Sequence, residues 1–448
     1  MRKRRLTTLA MGKKLLIIQP SHYRSRSERT VVKIDKRKVV PLTLPYLAAL
    51  TPADWEVKLL DEQLDGIDFA APADLVAITV WTINSLRAYD IADRFRQRGL
   101  PVIMGGPHMS FHGDEASEHC DAVGIGEGEN IWRQMLADAE NGSLRKLYRS
   151  DRLCDLQGLP GPRYGLLNMD KYGYFKTFSV QSSRGCPFKC EFCSERLYLG
   201  SQYRCRPIAE VVEEIKRCGS RYILFADSNF AGRVENAMKL MEAIIPLKLR
   251  WSALWSLRLC ADKEFLNLAQ RSGLLHVNIG IESISADTLV EMNKKINMVN
   301  QEEILRDLRK RGISYSLNFI FGSDADREDI FPATLSFLMR NKVPAAYLNI
   351  LTPHKGSALY DRLEAENRII DSDGIGRWPG MSCHIKHPHF SPADLLRYVE
   401  ELHNKFYSYR SMLARLPMPF TRAAVASWVV NFTERNSFQI GAENFSDY

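Results

Sequence analysis

Three cysteines stand close together in the segment Cys186-Pro-Phe-Lys-Cys190-Glu-Phe-Cys193. The segment follows a candidate strand at residues 178–181 and the turn Ser182-Ser183-Arg184-Gly185. Soft thiolates suit iron, and three of them can hold one [4Fe–4S] cluster. Because such a cluster has four irons, three ligands leave one iron open for a further ligand. The spacing therefore predicts an open iron–sulfur cluster.

Two other interpretations of the cysteines are weaker. A structural zinc site needs four closed ligands, commonly from two CxxC pairs, and the sequence has no second pair. The alternative that the three cysteines are only buried packing residues is also unfavourable, because they are closely spaced in a loop bounded by glycine and proline. Further candidate ligands are Cys205 and Cys218, and the run Cys383, His384, His387 and His389, which is interpreted as a polar loop near the substrate entrance.

The composition is that of an ordinary globular protein. Of 448 residues, 45% are hydrophobic and 25% are charged, and 61 Lys and Arg against 53 Asp and Glu give a net charge of +8. No apolar run approaches the ~20 residues of a membrane-spanning helix, and no secretory apolar core follows the start. The nine cysteines are an odd number, so reduced thiols in the cytoplasm are expected. Nucleic-acid binding is not expected, because the basic residues accompany no zinc-finger or RNA-binding motif.

The elements that must position this chemistry alternate between strands and helices. In the first third, buried strands are predicted at residues 15–18, 57–60, 75–80, 102–104 and 122–125. One helix is predicted at 86–98, and a second follows residue 129 and ends at about residue 139. This alternation predicts a doubly wound parallel sheet, which binds ligands beyond the carboxyl ends of its strands. Gly105, Gly106, Gly126 and Gly128 fall at such ends, where they either form tight turns or allow a bulky ligand to approach closely.

A second alternating series begins after a stretch rich in glycine and proline. Strands are predicted at residues 178–181, 222–226, 251–255, 277–281, 315–321 and 347–351, with helices between them. Six βα units predict a partial (β/α)6 barrel whose strand-end loops carry the chemistry. The predicted organisation is a first α/β domain at 12–140, a linker at 141–175, the barrel at 176–370 and a mostly helical region at 371–448.

The cysteine segment also resembles a known signature. The CxxxCxxC pattern, with Phe192 just before the last cysteine, resembles that of the radical SAM superfamily, and Ser182 to Gly185 match its usual approach. The resemblance implies a [4Fe–4S] cluster on Cys186, Cys190 and Cys193 that binds S-adenosylmethionine (SAM). Reductive cleavage of SAM would give a 5′-deoxyadenosyl radical that removes hydrogen from an unactivated carbon. The electron would come from an external flavodoxin-like or ferredoxin-like protein.

Later strand ends continue this resemblance. The segments 222–230 and 278–283 are similar to the second and fourth barrel strands of the superfamily, whose ends face SAM. By this resemblance the residues in contact with SAM are Phe192, Asp227, Arg258, Glu282 and Ser283. Lys294 and Lys295 are instead interpreted as residues at a helix C-terminus.

The first third resembles the cobalamin-binding domain that is fused to one large class of radical SAM enzymes. The resemblance lies in residues 41–49, 74–79, 105–108 and 124–129. The residues that it implies for cobalamin are Thr79, Gly105, Gly106, Pro107, His108, Gly126, Glu127 and Gly128. The string Asp-x-His-x-x-Gly is absent, so the domain either holds cobalamin without a histidine below the cobalt or binds none. Trp81 either stacks on cobalamin, lines the substrate cavity or packs in the core, and core packing is the favoured interpretation.

The resemblance implies methylation of an unactivated carbon of a small molecule or natural product. Cobalamin would carry the methyl group from a second SAM to the substrate radical. Other outcomes of the same radical chemistry stay open, namely ring closure, oxidation or carbon–carbon coupling. Two further alternatives are an RNA-modifying, methylthiotransferase-like enzyme and a cofactor-binding sensor without enzymatic activity. Short motifs do not fix the substrate, the oligomeric state or the reductant.

Overall fold

Fifteen strands form two large parallel sheets and one small ribbon in a computed structural model that describes residues 12–24, 29–370, 382–417 and 422–442. The strands are β1 (Lys13–Gln19), β2 (Arg37–Val40), β3 (Trp55–Asp61), β4 (Leu75–Thr79), β5 (Val102–Gly105), β6 (Ala122–Ile125), β7 (Leu147–Arg149), β8 (Tyr172–Val180), β9 (Ser183–Arg184), β10 (Arg204–Cys205), β11 (Tyr222–Phe225), β12 (Arg250–Ser256), β13 (Leu274–Glu282), β14 (Ser314–Phe321) and β15 (Ala345–Ile350).

Helices cover these sheets and form the end of the chain. They are α1 (Thr43–Leu50), α2 (Ser85–Gln97), α3 (Met109–His119), α4 (Trp132–Glu140), α5 (Glu195–Leu199), α6 (Ile208–Cys218), α7 (Val234–Ile244), α8 (Lys263–Ser272), α9 (Ala286–Glu291), α10 (Gln301–Lys310), α11 (Ile330–Arg340), α12 (Ala358–Ala365), α13 (Pro392–Phe406), α14 (Tyr409–Arg415) and α15 (Arg422–Ala442). Among the described residues, no helix is both long enough and apolar enough to cross a bilayer.

The first sheet has the strand order β3-β1-β4-β5-β6-β7, and every pairing is parallel. Its central strands are apolar runs because helices bury both faces, and two separate hydrophobic clusters lie on the two sides. This confirms the predicted doubly wound sheet. The sixth strand, β7, lies inside the range predicted as a linker. Its three residues, of which only Tyr148 is buried, are too few to give a recognisable pattern.

The second sheet has the order β15-β14-β13-β12-β11-β8-β2, again with parallel pairings. All six strands predicted for the partial barrel are present, with helices α6 to α11 between them, so the barrel prediction is confirmed. A seventh strand, β2, comes from the first part of the chain, where Val39 pairs with Thr177 and Val40 pairs with Phe178. Sequence analysis missed β2, since its four residues, Arg-Lys-Val-Val, alternate poorly and have no neighbouring partner.

The C-terminal region is helical where the structure describes it. Helix α13 begins after Ser391, whose side chain accepts a hydrogen bond from the amide of Asp394. Leu395, Leu402 and Phe406 are buried against the barrel, as their helical spacing predicts. The part of the predicted region at residues 371–381 lies outside the described residues.

Candidate functional site

The cysteine loop leaves the carboxyl end of β8 through the short ribbon of β9 and β10. Gly185, at φ +82°, makes the turn into the loop, where any Cβ would collide with the carbonyl oxygen of Gln202. Cys186, Cys190 and Cys193 are all partly exposed and unoxidised, and the amide of Cys193 donates to the carbonyl of Cys190 (3.3 Å). The loop thus presents three thiols at the strand ends. Within the described residues, no three side chains of His, Cys, Asp or Glu are arranged to hold a single metal ion.

Asp227, which follows β11, supports the approach to this loop. Its Oδ1 accepts from the amides of Ser182 (2.8 Å) and Ser183 (2.6 Å), and its Oδ2 accepts from the Ser182 hydroxyl (2.8 Å). Burial raises the pKa of Asp227 to about 6, although these three donors oppose the shift. The carboxylate therefore holds the segment before Cys186 in place. Its predicted contact with SAM stays a prediction.

Glu282 and Lys294 form a buried ion pair beside the cysteine loop. Glu282 ends β13 at φ +65°, a strained conformation for a residue with a side chain and one that often marks a functional position. Its Oε1 lies 2.9 Å from the Nζ of Lys294. Burial lowers the pKa of Lys294, but Glu282 and Cys190 outweigh that effect and raise it. Lys294 is thus a largely buried cation close to the cysteines. Its amide donates to the carbonyl of Leu289 (2.8 Å) in the last turn of α9, which confirms its interpretation as a residue at a helix C-terminus.

The other predicted SAM residues lie in different surroundings. Ser283 is buried, and its hydroxyl accepts from the amide of Ser285 (3.1 Å). Phe192 packs against a small apolar cluster that includes Met292 and Leu359. Arg258 is exposed on the turn that follows β12. The predicted contacts of these residues with SAM stay predictions.

A cavity of about 160 Å³ lies at the carboxyl ends of β4, β5 and β6 in the first sheet. Its wall includes five residues of the loops predicted to hold a cofactor, namely Thr79, Gly105, Gly106, Gly126 and Gly128. A Cβ at Gly105 or Gly128 would come no closer than 3.9 Å to another atom. Packing therefore does not require glycine at these two positions, and their missing side chains leave room for a ligand.

His108 does not face this cavity. Its ring is buried, with Nε2 2.7 Å from the hydroxyl of Tyr89 and Nδ1 3.2 Å from Oγ1 of Thr82. These contacts hold the histidine in the packing of α2 and α3 against the sheet, so its proposed place among the cofactor contacts lacks support here. Pro107 and Glu127 do not line this cavity either, but they line a neighbouring cleft between the two sheets.

A cleft of about 400 Å³ separates the two sheets. Thr79, Gly106, Pro107, Gly126, Glu127 and Gly128 lie on its first wall, and Ser179, Arg184, Glu195, Tyr198 and Ser228 lie on the wall nearer the cysteine loop. Trp81 is 46% exposed in this cleft, so its interpretation as a core residue was wrong. The Trp81 ring meets the edge of Tyr198, which also meets Phe111. Trp81 and Tyr198 thus bring one aromatic ring from each wall to the cleft.

Buried ion pairs join the two walls. The carboxylate of Glu127 accepts from Arg184 (2.9 Å) and from Arg204 (2.9 and 3.0 Å), and Arg184 also donates to Glu129 (2.6 Å). The amide of Cys154 donates to Glu127 as well (2.6 Å). Burial opposes ionisation, yet Arg204 and Arg184 hold the pKa of Glu127 below its usual range. This network, which sequence analysis did not predict, connects the glycine loop of the first sheet to the residue two positions before Cys186.

The run from Cys383 to His389 does not form a metal site. The ring of His384 lies 2.6 Å from the Ser382 hydroxyl, and Nε2 of His387 lies 2.7 Å from the carbonyl of Ser323. Cys383 donates to the carbonyl of Ile385 (3.5 Å). These separate partners agree with the interpretation of the run as a polar loop.

Comparison with known proteins decides the family. The sequence matches the Radical SAM superfamily over residues 180–338 and the B12 binding domain over residues 29–136. It is 33% identical over 436 residues to a bacteriochlorophyllide d C-12(1)-methyltransferase of Chlorobaculum tepidum, covering 94% of this chain and 92% of that protein. The chain belongs to the cobalamin-dependent radical SAM methyltransferase family.

A second relative and a solved structure are also similar to this chain. A bacteriochlorophyllide d C-8(2)-methyltransferase of the same organism is 28% identical over 85% of this chain and 88% of that protein. The radical SAM methyltransferase TsrM from Kitasatospora setae, solved with cobalamin and a [4Fe–4S] cluster, shares the fold. Its TM-score is 0.66 at 18% identity, covering 94% of this chain and 91% of that chain.

The cofactors of this enzyme, as its sequence and fold indicate, are a [4Fe–4S] cluster, SAM and cobalamin. The residues fit these groups. Three partly exposed thiols on one loop are the donor set that an open cluster needs. The space beside Gly105 and Gly128 is one that a side chain would fill, and it suits close approach of a large ligand.

Filling that space is expected to remove cobalamin without unfolding the protein. Gly105→Val places a branched side chain in the cavity, and we expect at least about tenfold weaker cobalamin binding. The measurement is cobalt content and cobalamin titration of the anaerobically purified protein, with thermal unfolding of the cobalamin-free form. Gly66→Val is the matched control, because Gly66 is exposed, has no close neighbour and lies outside the cavity. Equal cobalamin affinity in both variants would contradict the assignment of the cavity.

Proposed function

We propose that the enzyme transfers a methyl group to an unactivated carbon of a small molecule with a large, flat ring system. The observation that carries the proposal is the cleft, in which the glycine loops of the first sheet face the wall next to the cysteine loop. When bound, the cluster with SAM supplies hydrogen abstraction and cobalamin supplies a transferable methyl group. A substrate in this cleft could therefore meet both.

The residues of this chain would hold and orient these groups. Cys186, Cys190 and Cys193 would bind the cluster. Lys294 and Glu282 offer a buried cation and a carboxylate, which are complementary to the carboxylate and amine of the methionyl part of SAM. Closing the cleft around the substrate would exclude water and hold the reacting carbon in place.

The lining of the cleft supports a flat ring as the substrate. Trp81 and Tyr198 present aromatic rings to the cleft, and such surfaces pack well against planar ring systems. The two relatives described above act, by their names, on bacteriochlorophyllide d. We therefore place tetrapyrroles first among the substrates to test.

The electron for this chemistry would come from a flavodoxin-like or ferredoxin-like protein. Lys189, within the cysteine loop, and Lys295, in the neighbouring segment, are both exposed. Asn293 joins the two segments by donating to the carbonyl of Lys189 (2.8 Å). Cations next to the cluster would attract an acidic electron-transfer protein.

Methyl-labelled SAM tests the proposed reaction. The anaerobic, cofactor-loaded enzyme is incubated with a reductant and with tetrapyrroles that differ in their alkyl side chains. We expect 5′-deoxyadenosine together with label on a carbon of one tetrapyrrole. Deoxyadenosine that depends on the tetrapyrrole, but with no label transferred, would show ring closure or oxidation in place of methyl transfer. No reaction with any tetrapyrrole, but methylation of another polycyclic compound, would overturn the choice of substrate alone.

A further inference from the structure

Strand β8 contains a bulge that pushes two aromatic side chains into solvent. Arg37 of β2 pairs with Tyr172 and Val39 pairs with Thr177, so residues 173–176 leave the ladder. Tyr174 is 94% exposed and Phe175 is 59% exposed. Bulges are common near sheet edges, where they change the direction in which a side chain points. An isolated exposed aromatic residue would need no explanation, but two adjacent ones on a protrusion do.

The last two helices carry a second apolar surface. Val425, Val429 and Phe432 follow one another at helical spacing on α15, and all three are exposed. On α14, Leu413 is 69% exposed, and Tyr409 lies against the ring of Phe432. The opposite side of α15 is anchored, because Asn431 is buried and its Nδ2 donates to the carbonyl of Pro344 (2.7 Å). Helix α15 therefore buries one side in the protein and presents apolar residues to solvent on another.

Both surfaces lie at the amino-terminal end of the barrel, opposite the cysteine loop. Pro344 immediately precedes β15, and Arg415 of α14 donates to the carbonyls of Val343 and Pro344 (2.8 Å each), so both helices sit at the start of that strand. The bulge lies near the start of β8, which runs parallel to the rest of the sheet. Lys38 of β2, opposite the bulge, has its Nζ 3.4 Å from Oγ1 of Thr433 on α15. The bulge of β8 and the apolar surface of α14 and α15 therefore lie at the same end of the barrel sheet.

We define this end as the basal face, formed by Tyr174, Phe175, Leu413, Val425, Val429 and Phe432. Exposed cations surround it, namely Lys38, Lys176, Arg221 and Arg410. Of the nearby acidic side chains, Glu213 is paired with Arg217, and Glu434 is partly buried and interacts with Tyr347. Asp35 and Asp170, just before β2 and β8, are exposed, so the four cations face two exposed carboxylates. The basal face is therefore apolar in its centre and positive at its rim.

We propose that the basal face binds the surface of an anionic lipid bilayer. Aromatic and aliphatic side chains would enter the boundary between headgroups and acyl chains, and the surrounding cations would contact lipid phosphates. The charge of the rim favours this occupant over a second copy of the chain, because two such faces would bring like charges together. The attachment is peripheral and leaves the cysteine loop and the cleft pointing away from the bilayer.

Vesicle sedimentation tests the proposal with the full, cofactor-loaded protein. The vesicles contain phosphatidylglycerol and phosphatidylcholine in equal amounts, or phosphatidylcholine alone. We expect binding to the anionic vesicles that weakens with salt, and much less to the neutral ones. The double variant Tyr174→Ser with Phe175→Ser, and separately Val429→Ser with Phe432→Ser, should bind about tenfold more weakly. Leu147→Ser is the matched control, since Leu147 is an apolar residue on the first sheet whose exposure (48%) lies between those of Phe432 (44%) and Val429 (55%).

Each other outcome overturns the proposal. Equal vesicle binding by the parent protein and both double variants would show that the basal face is not the contact. No vesicle binding, together with dimerisation that the double variants abolish, would identify the face as an interface between copies. Thermal unfolding of the variants checks that they fold, and exposed substitutions of this kind should leave it nearly unchanged.

Discussion

Replacing Cys190 by alanine is expected to reduce bound iron to background and to slow SAM cleavage by about 10³-fold or more. The reason is that a cluster held by three thiolates loses one of its three protein ligands. The exchange removes little buried packing, because Cys190 is only partly buried in its loop. Iron and sulfide analysis and 5′-deoxyadenosine formation under reducing conditions measure the two effects. We expect the same result for Cys186→Ala and Cys193→Ala.

Cys205→Ala is the matched control for this series. Cys205 is also partly exposed and lies on β10, which pairs with the strand that leads into the loop. It should retain iron and SAM cleavage. Unchanged iron content in a variant that lacks all three loop cysteines would contradict the assignment of the cluster, and loss of iron in Cys205→Ala would place a ligand outside the loop.

Replacing Glu127 by glutamine should have the second largest effect. It leaves Arg184 and Arg204 buried with an uncharged amide where their shared carboxylate was, and breaking such a buried pair costs about 3–5 kcal/mol. For a chain of this size we expect the midpoint of thermal unfolding to fall by about 3–5 °C. The control Glu213→Gln disrupts an exposed pair with Arg217 and should shift the midpoint by about 1 °C at most.

The effect of Glu127→Gln should depend on pH in a defined direction. The pKa of Glu127 is lowered in the folded protein, so its charge stabilises the fold fully above the ordinary value of 4.5. This contribution is lost as the pH falls through the lowered pKa. The gap in unfolding midpoint between the parent protein and the variant should therefore be largest above pH 4.5 and should close on acidification. A gap that widens in acid would contradict the ion-pair explanation.

Catalysis by the same variant separates a positioning role from a purely structural one. Glu127 joins the glycine loop of the first sheet to the segment that leads into the cysteine loop. Loosening that joint should reduce methyl transfer more than SAM cleavage, so the ratio of methylated product to 5′-deoxyadenosine should fall. An unchanged ratio with a lower unfolding midpoint would mean that the network only stabilises the fold.

Sequence patterns predicted the architecture because its main elements are locally encoded. The barrel strands are apolar runs followed by polar turns, and the cysteine loop is a compact motif. The short strands β2 and β7 were not predicted, since each forms only by pairing with another strand, β8 or β6, and its own sequence has no clear strand pattern. The bulge in β8 was also missed, because residues 141–175 were predicted to be a linker and the strand was predicted to begin only at residue 178.

The candidate site was predicted less completely, for a related reason. The family resemblance marked Asp227 and Glu127 as candidate site residues, but their hydrogen-bond partners are far away along the chain: Ser182 and Ser183 for Asp227, Arg184 and Arg204 for Glu127. His108 follows two glycines at a strand end, yet its ring turns to Tyr89 in the core. Such long-range hydrogen bonds decide where a polar side chain points, and a single sequence does not contain that information.

The pairing of β2 with β8 has a consequence for biosynthesis and modularity. During translation, residues 37–40 leave the ribosome long before their partner, so the edge of the barrel must wait for more than a hundred residues to emerge. The cobalamin-binding domain also cannot be deleted without removing β2 from the barrel sheet. A fragment that begins after the first sheet would expose the edge of β8 as a surface prone to aggregation.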